Sequence, residues 1–393
     1  MARTDGACKA ETPGHTRKIV GQSEGEGRQV PGIPGGQGPD RFPIEEMSNM
    51  TLAGKSIMLF GMPFIVLSVM AAKGACQGED DLLAGRFKWV MSEQLLGPIE
   101  SPDDTYYSIK DPTVVFHEGR WHLFCSVRGQ KRSHQIEYFS FADWDDTGAA
   151  QRQMLRMHPG FFCAPQVFYF APHKKWYLIC QASDEAWEPK YGAAYSTTSD
   201  IADPGSWSKL KPLGARQADG KSGLDFWIIC DESKAYFFFT TLDGRMWREE
   251  TTLADFPTGW SEAELAIRGD IFEASHIYKL KGMDKYLTVV EAQGGHGWRY
   301  FKAYLADRLD GEWTPLAATK DHTFASMANT RHPEPRWSDC ISHGELLRAG
   351  SDQTLEVDPT DLRFVFQGVL NRDRSGKKYG EIPWRLGLLK PAP

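Results

Sequence analysis

Three acidic residues stand where the sequence passes from a polar stretch into an apolar run. They are Asp111 in Ser108-Ile-Lys-Asp-Pro-Thr-Val114, Asp225 in Ser222-Gly-Leu-Asp-Phe-Trp-Ile228 and Glu273 in Asp270-Ile-Phe-Glu-Ala-Ser-His276. Two carboxyl groups, one protonated and one ionised, are what hydrolysis of a glycosidic bond requires: the acid protonates the leaving oxygen and the base activates water. A third can hold the sugar and keep the pKa of the acid high. Lys110 beside Asp111 favours the ionised form that a base needs, while the apolar neighbours of Glu273 favour the protonated form that an acid needs. Taken singly, each residue also has an ordinary structural explanation: a turn cap before Pro112, a hydrogen-bonding strand start, a glutamate at a wet edge.

The elements that would position these groups argue for chemistry. From Phe87 onward, short β-type runs alternate with Gly, Pro, Asp and Asn turns, with no sustained helical period. One hairpin recurs over 114–124, 166–179, 226–239 and 277–289, with a looser fifth copy over 344–355. The aromatic residue that opens its second strand falls at Trp121, Trp176, Tyr236 and Tyr286, spaced 55, 60 and 50 residues apart. Four-stranded units at that period predict an all-β, five-bladed β-propeller over 81–393. A β-sandwich would lack the longer repeat. In a propeller the innermost strands line a central channel, so the residues before each hairpin ring one mouth: Asp111, Ala164-Pro165, Asp225, Glu273 and Ser342-His343. Three blades then present a carboxylate at an equivalent place, an arrangement that like-charge repulsion makes costly.

Composition narrows the class further. With 25% charged and 41% hydrophobic residues, the chain has the balance of a soluble globular protein. A net charge of −7 with no long Lys/Arg cluster excludes a basic nucleic-acid surface. The aromatic share of 12%, including Trp 13 and Tyr 13, suits both sheet packing and stacking on sugar rings. Residues 1–80 differ from the rest. Their first part is rich in Gly, Pro, Glu and Gln and is expected to be disordered. Lys55, the apolar run 57–72 and the small residues Ala71, Ala72, Gly74 and Ala75 form a secretory signal pattern, too short for a comfortable span. Met47 and Met50 are alternative starts that would place this signal at the N-terminus. A secreted or periplasmic protein is expected, with no membrane association after signal removal. Five of the seven cysteines follow the signal, match no CxxC spacing and read as small buried hydrophobes, one disulfide being permitted.

At these residues the chain resembles glycoside hydrolase family 62 over roughly 87–389. The likeness is carried by Ser108-Ile-Lys-Asp111, Ala164-Pro165, Leu224-Asp-Phe-Trp-Ile-Ile-Cys-Asp231, Phe272-Glu-Ala274, Arg299-Tyr-Phe301, Asp310-Gly-Glu-Trp-Thr-Pro315, Ile341-Ser-His-Gly-Glu345, Arg348-Ala-Gly-Ser-Asp-Gln-Thr354 and Ile382-Pro-Trp-Arg-Leu-Gly-Leu388. The resemblance implies inverting removal of single α-L-arabinofuranosyl branches from arabinoxylan or arabinan by a monomer. Asp111 would be the base, Asp225 the carboxylate that orients sugar and tunes pKa, and Glu273 the acid. Lys110 and Tyr379 match positions that contact arabinose. His343 and Gln353 match residues near a calcium (Ca2+) ion in the channel; a hard cation of this kind tolerates water among its ligands. No organic cofactor is implied. Pro112 departs from the aromatic more usual after the base, and loops 184–190 and 324–336, expected to form the cleft rim, are unlike the family. Another plant-type or marine pentose-containing polysaccharide, or a sugar-binding propeller without catalysis, are the alternatives.

Overall fold

A computed structural model describes residues 77–214, 223–294 and 298–393. The expected disordered stretch and signal lie outside them, except that a helix, Gln77–Leu83, spans the expected boundary at residue 80. Among the described residues no helix is long and apolar enough to cross a membrane.

Five antiparallel-based sheets form the blades of a propeller. Their innermost strands are Tyr106–His117, Phe162–Phe170, Leu224–Cys230, His276–Leu280 and Ser342–Leu346. Each pairs with a second strand: Arg120–Gly129, Lys175–Ser183, Lys234–Thr241, Tyr286–Gln293 and Phe364–Gly368. Both faces of a blade are covered by neighbouring blades, so these strands read as continuous apolar runs rather than alternating ones. In Leu224–Cys230 every residue after Leu224 is buried, and Trp227, Phe237, Phe238 and Phe239 form part of the largest core cluster. Full burial of side chains this size stabilises by roughly 1.5–3 kcal/mol each. The five cysteines at 125, 163, 180, 230 and 340 are all buried and free, as small hydrophobes should be.

The four expected hairpins are present, with Trp121, Trp176, Tyr236 and Tyr286 at or near the start of each second strand. The fifth differs. Ser342–Leu346 pairs with Phe364–Gly368 rather than with a strand inside 344–355, and Glu356–Val357, from the connection between them, lies parallel to the inner strand of the fourth blade. The fifth blade is also where the circle closes. Its third strand, Arg385–Pro391, comes from the C-terminal end, and Trp89–Met91, from the beginning of the propeller, pairs antiparallel with it. Loop 324–336 belongs to this seam: Thr330–Arg331 pairs with Trp89–Val90, and the Phe324 carbonyl accepts from Trp89 Nε1 at 2.6 Å. It braces the outer edge of a blade, whereas 184–190 follows the second strand of blade two at the carboxylate end, as expected of a rim.

Candidate active site

The inner strands of the first three blades break their register on the mouth side. The ladder jumps from Lys110↔Ser126 to Thr113↔Phe124, from Cys163↔Gln181 to Gln166↔Ile179, and from Leu224↔Thr240 to Trp227↔Phe238. The residue entering each of these breaks is left-handed although none is glycine, Asp111 at φ 50°, Ala164 at 52° and Asp225 at 52°, and Ala274, two residues ahead of the fourth inner strand, has the same conformation at 52°. Such backbone costs on the order of 1–3 kcal/mol per residue and persists where the surroundings hold it. These bulges aim Asp111 and Asp225 at the mouth from equivalent positions. Glu273 does not share that position. Its carbonyl accepts from Glu291 N, so it is the counterpart of Lys110, Cys163 and Leu224, and Ala274 takes the left-handed place. The equivalence expected of the three carboxylates thus holds for two; the acid sits one residue earlier, and the bulge that sets this is invisible in residue types.

The expected residues Lys110, Asp111, Asp225 and His343 are brought together. Lys110 Nζ donates to Asp111 Oδ2 at 2.9 Å. His343 Nδ1 lies 3.4 Å from Asp111 Oδ1 and 3.8 Å from Asp225 Oδ1. The Asp225 Oδ2 oxygen accepts from Ala274 N at 2.9 Å, tying it to the residue after Glu273. Glu273 Oε1 accepts from Arg299 Nη1 at 2.7 Å, and the same nitrogen donates to the buried Glu291 Oε1 at 2.6 Å. The Arg299 guanidinium lies against the rings of Phe272 and Trp298, 4.2 and 4.7 Å from their centroids. Tyr379, 49% exposed, presents its ring 6.0 Å from Lys110 Nζ, a polar-tipped aromatic at an open edge. Side-chain exposures of 5% for Asp111, 6% for Asp225 and 12% for Glu273 leave Glu273 the most open of the three.

Charge is divided unequally among these groups. Burial alone would raise the Asp111 carboxyl, but the Lys110 ammonium, with His343, outweighs it and brings the value down to about 2. Asp225 is pushed up by burial and then by the Asp111 charge. Glu273 is pushed up by burial, then by Asp225 and Glu291, with Arg299 opposing. A carboxyl held down at Asp111 and one pushed up at Glu273 are the complement of base and acid that environments of opposite effect produce.

Gln353 lies elsewhere. Its carbonyl accepts from Cys230 N and its Oε1 from Ala171 N, at the far ends of the inner strands. Five residues of strand from Asp225 to Cys230 amount to about 16 Å, so His343 and Gln353 do not share one coordination sphere. Among the described residues no group of three or more His, Cys, Asp or Glu is placed to hold a metal. Arg299 and Glu291 were not singled out from the sequence as site residues. Their signal is a charged residue breaking an apolar run, as in Val289-Val-Glu-Ala292.

A family model described as glycosyl hydrolase family 62 matches residues 88–390. Alpha-L-arabinofuranosidase C of Cellvibrio japonicus (strain Ueda107) is 39% identical over 302 residues, 75% of this chain and 46% of that protein, so the chain spans about half the length of this relative. Two solved structures share the fold closely. The catalytic domain of a Coprinopsis cinerea α-L-arabinofuranosidase of this family has a TM-score of 0.72 at 35% identity, covering 78% of this chain and 97% of that one. A hydrolase of the same family in complex with xylotriose has a TM-score of 0.70 at 34% identity, covering 77% and 97%.

Proposed function

The chain belongs to glycosyl hydrolase family 62, and from that footing we propose that it removes α-L-arabinofuranosyl branches from arabinoxylan or arabinan, as a monomer, with inversion at the anomeric carbon. The observation that carries this reading is the contrast in surroundings at one channel mouth, where the Lys110 ammonium 2.9 Å from Asp111 holds that carboxyl down while burial with Asp225 and Glu291 pushes Glu273 up. Glu273 gives its proton to the glycosidic oxygen as the bond to the anomeric carbon breaks. Asp111 takes a proton from the water that attacks the opposite face. Arg299 holds the acid, and Asp225 fixes the backbone beside it. Lys110 and Tyr379 line the place a pentose would occupy, and the xylotriose bound by a similar structure supports a xylan backbone running across that mouth. Incubation with arabinoxylan and with arabinan, followed by identification of the released sugar, is the test. Arabinose alone supports the proposal, oligosaccharides point to a related propeller hydrolase on another pentose-containing polysaccharide, and binding without release leaves a non-catalytic propeller.

Inversion makes its own demand. Room for a water between acid and base requires their carboxyl groups to stand about 6.5–9.5 Å apart across the pocket, against about 5–5.5 Å for retention. Proton NMR of the reaction should therefore show β-arabinofuranose as the first-formed anomer. First appearance of the α-anomer would overturn the assignment of Asp111 as base.

For the ion, we propose calcium held mainly by water beside His343, with Gln353 outside its sphere and a structural role. Exhaustive chelation should lower Tm more than it lowers activity at a permissive temperature. If neither changes, and elemental analysis finds no calcium, the ion has no place here. A secreted or periplasmic location is proposed from the run 57–72 alone.

A further inference from the structure

At every blade boundary a backbone N–H at the mouth is held by a side chain of the preceding blade. Ala164 N donates to Ser126 Oγ at 2.7 Å, Asp225 N to Gln181 Oε1 at 2.8 Å, His343 N to Glu291 Oε2 at 2.9 Å, and Asp111 N to Gln367 Oε1 at 2.8 Å, which closes the circle. The four acceptors occupy one register. Within their own blades Ser126, Gln181, Glu291 and Gln367 stand opposite Lys110, Cys163, Glu273 and Ser342, the residue just before the mouth position, and each reaches across to the N–H at the mouth position of the next blade. The boundary between blades three and four departs. Thr240 holds the register position there, but Ala274 N donates to Asp225 Oδ2 instead, and Thr240 Oγ1 is buried without a hydrogen-bond partner among the described residues.

We propose that Gln181 and Gln367 are positioning residues that hold the left-handed backbone of Asp225 and Asp111, and through it the direction of both carboxylates. The inference rests on the catalytic reading of those aspartates. Neither glutamine touches substrate in this account. Each acts on a strained, non-glycine position whose N–H would otherwise be buried and unsatisfied, and each is itself pinned. Gln367 Nε2 donates to Ser342 Oγ at 3.2 Å and Gln181 Nε2 to Tyr191 Oη at 2.9 Å. An aspartate freed from this clamp turns away from the reacting atoms, and displacement of about 1 Å can cost 10²-fold in rate.

The control is Gln166, which also bridges two blades. Its Oε1 accepts from Ile228 N at 2.8 Å and its Nε2 donates to Ile228 O at 2.7 Å. It does so three residues down the strand from Asp225, about 10 Å from the carboxylates. Gln181→Ala and Gln367→Ala should each lower kcat on arabinoxylan by about 10- to 100-fold with KM changed less than about twofold. Gln166→Ala should lower Tm and leave kcat as it was. If all three variants lose Tm alike and keep kcat, the glutamines are structural and the proposal is overturned. Should an alanine variant fail to fold, Gln181→Asn and Gln367→Asn keep an amide with one carbon fewer; the same loss of kcat is expected, and an unchanged kcat overturns the proposal. If the unaltered protein turns over no arabinoside, that result counts against the proposed function, and crystal structures of the variants then decide. Departure of Asp111 or Asp225 from φ near 50° supports the clamp, and its retention overturns it.

Discussion

Glu273→Gln should reduce hydrolysis of arabinoxylan by about 10²- to 10⁴-fold while leaving the fold and most of the sugar binding in place. The amide oxygen can still accept from Arg299, whose guanidinium remains fixed by Glu291, Phe272 and Trp298. What is lost is a proton at the leaving oxygen. Burial and the nearby Asp225 and Glu291 raise the Glu273 carboxyl, so the unaltered protein should carry that proton at neutral pH and lose activity as pH rises through the raised value. The residual rate of the variant should lack this alkaline limb. Steady-state rates across pH, with binding measured by calorimetry on a xylo-oligosaccharide, give the check. Near-normal turnover by the variant would remove Glu273 from the mechanism.

Asp111→Asn should act on rate and on stability together. Removal of the base is expected to cost about 10²- to 10⁴-fold in kcat. It also leaves the Lys110 ammonium, 11% exposed, without its partner at 2.9 Å, and an uncompensated buried charge costs about 3–5 kcal/mol. The double variant Asp111→Asn/Lys110→Met should recover much of the lost stability and none of the activity. Recovery of activity would mean that Asp111 is there for Lys110 rather than for water. The same pair predicts the direction of acid sensitivity. The folded-state value of about 2 lies below the ordinary 3.8, so ionised Asp111 stabilises above pH 3.8, and this contribution, about 2 kcal/mol, disappears as pH falls towards 2. Denaturant titrations at several acidic pH values measure it.

The blades were legible in the sequence because an aromatic residue opens the second strand of four of them at a regular spacing, a pattern that survives divergence of everything between. The fifth was misplaced because its two inner strands are separated by a connection that lends Glu356–Val357 to the blade next door. Asp111, Asp225 and Glu273 could be found by residue type and by position ahead of apolar runs. Their equivalence could not, since a one-residue offset depends on where the backbone turns left-handed. Gln353 could be recognised by resemblance but not placed, because sequence does not say at which mouth a connection ends. The clamps at Gln181 and Gln367 were hidden for a different reason: their partners lie 44 and 256 positions away, and an amide in a strand has no local pattern that names its acceptor or donor.

The seam of the fifth blade has a bearing on how the protein is made. Trp89–Met91 waits for Arg385–Pro391, and Asp111 waits for Gln367. During synthesis four blades can be complete while the base still lacks the amide that holds its backbone. Catalytic competence is thus vested in the last-made part of the propeller, and a product terminated before Gln367 would carry all three carboxylates yet lack the arrangement that makes them a site.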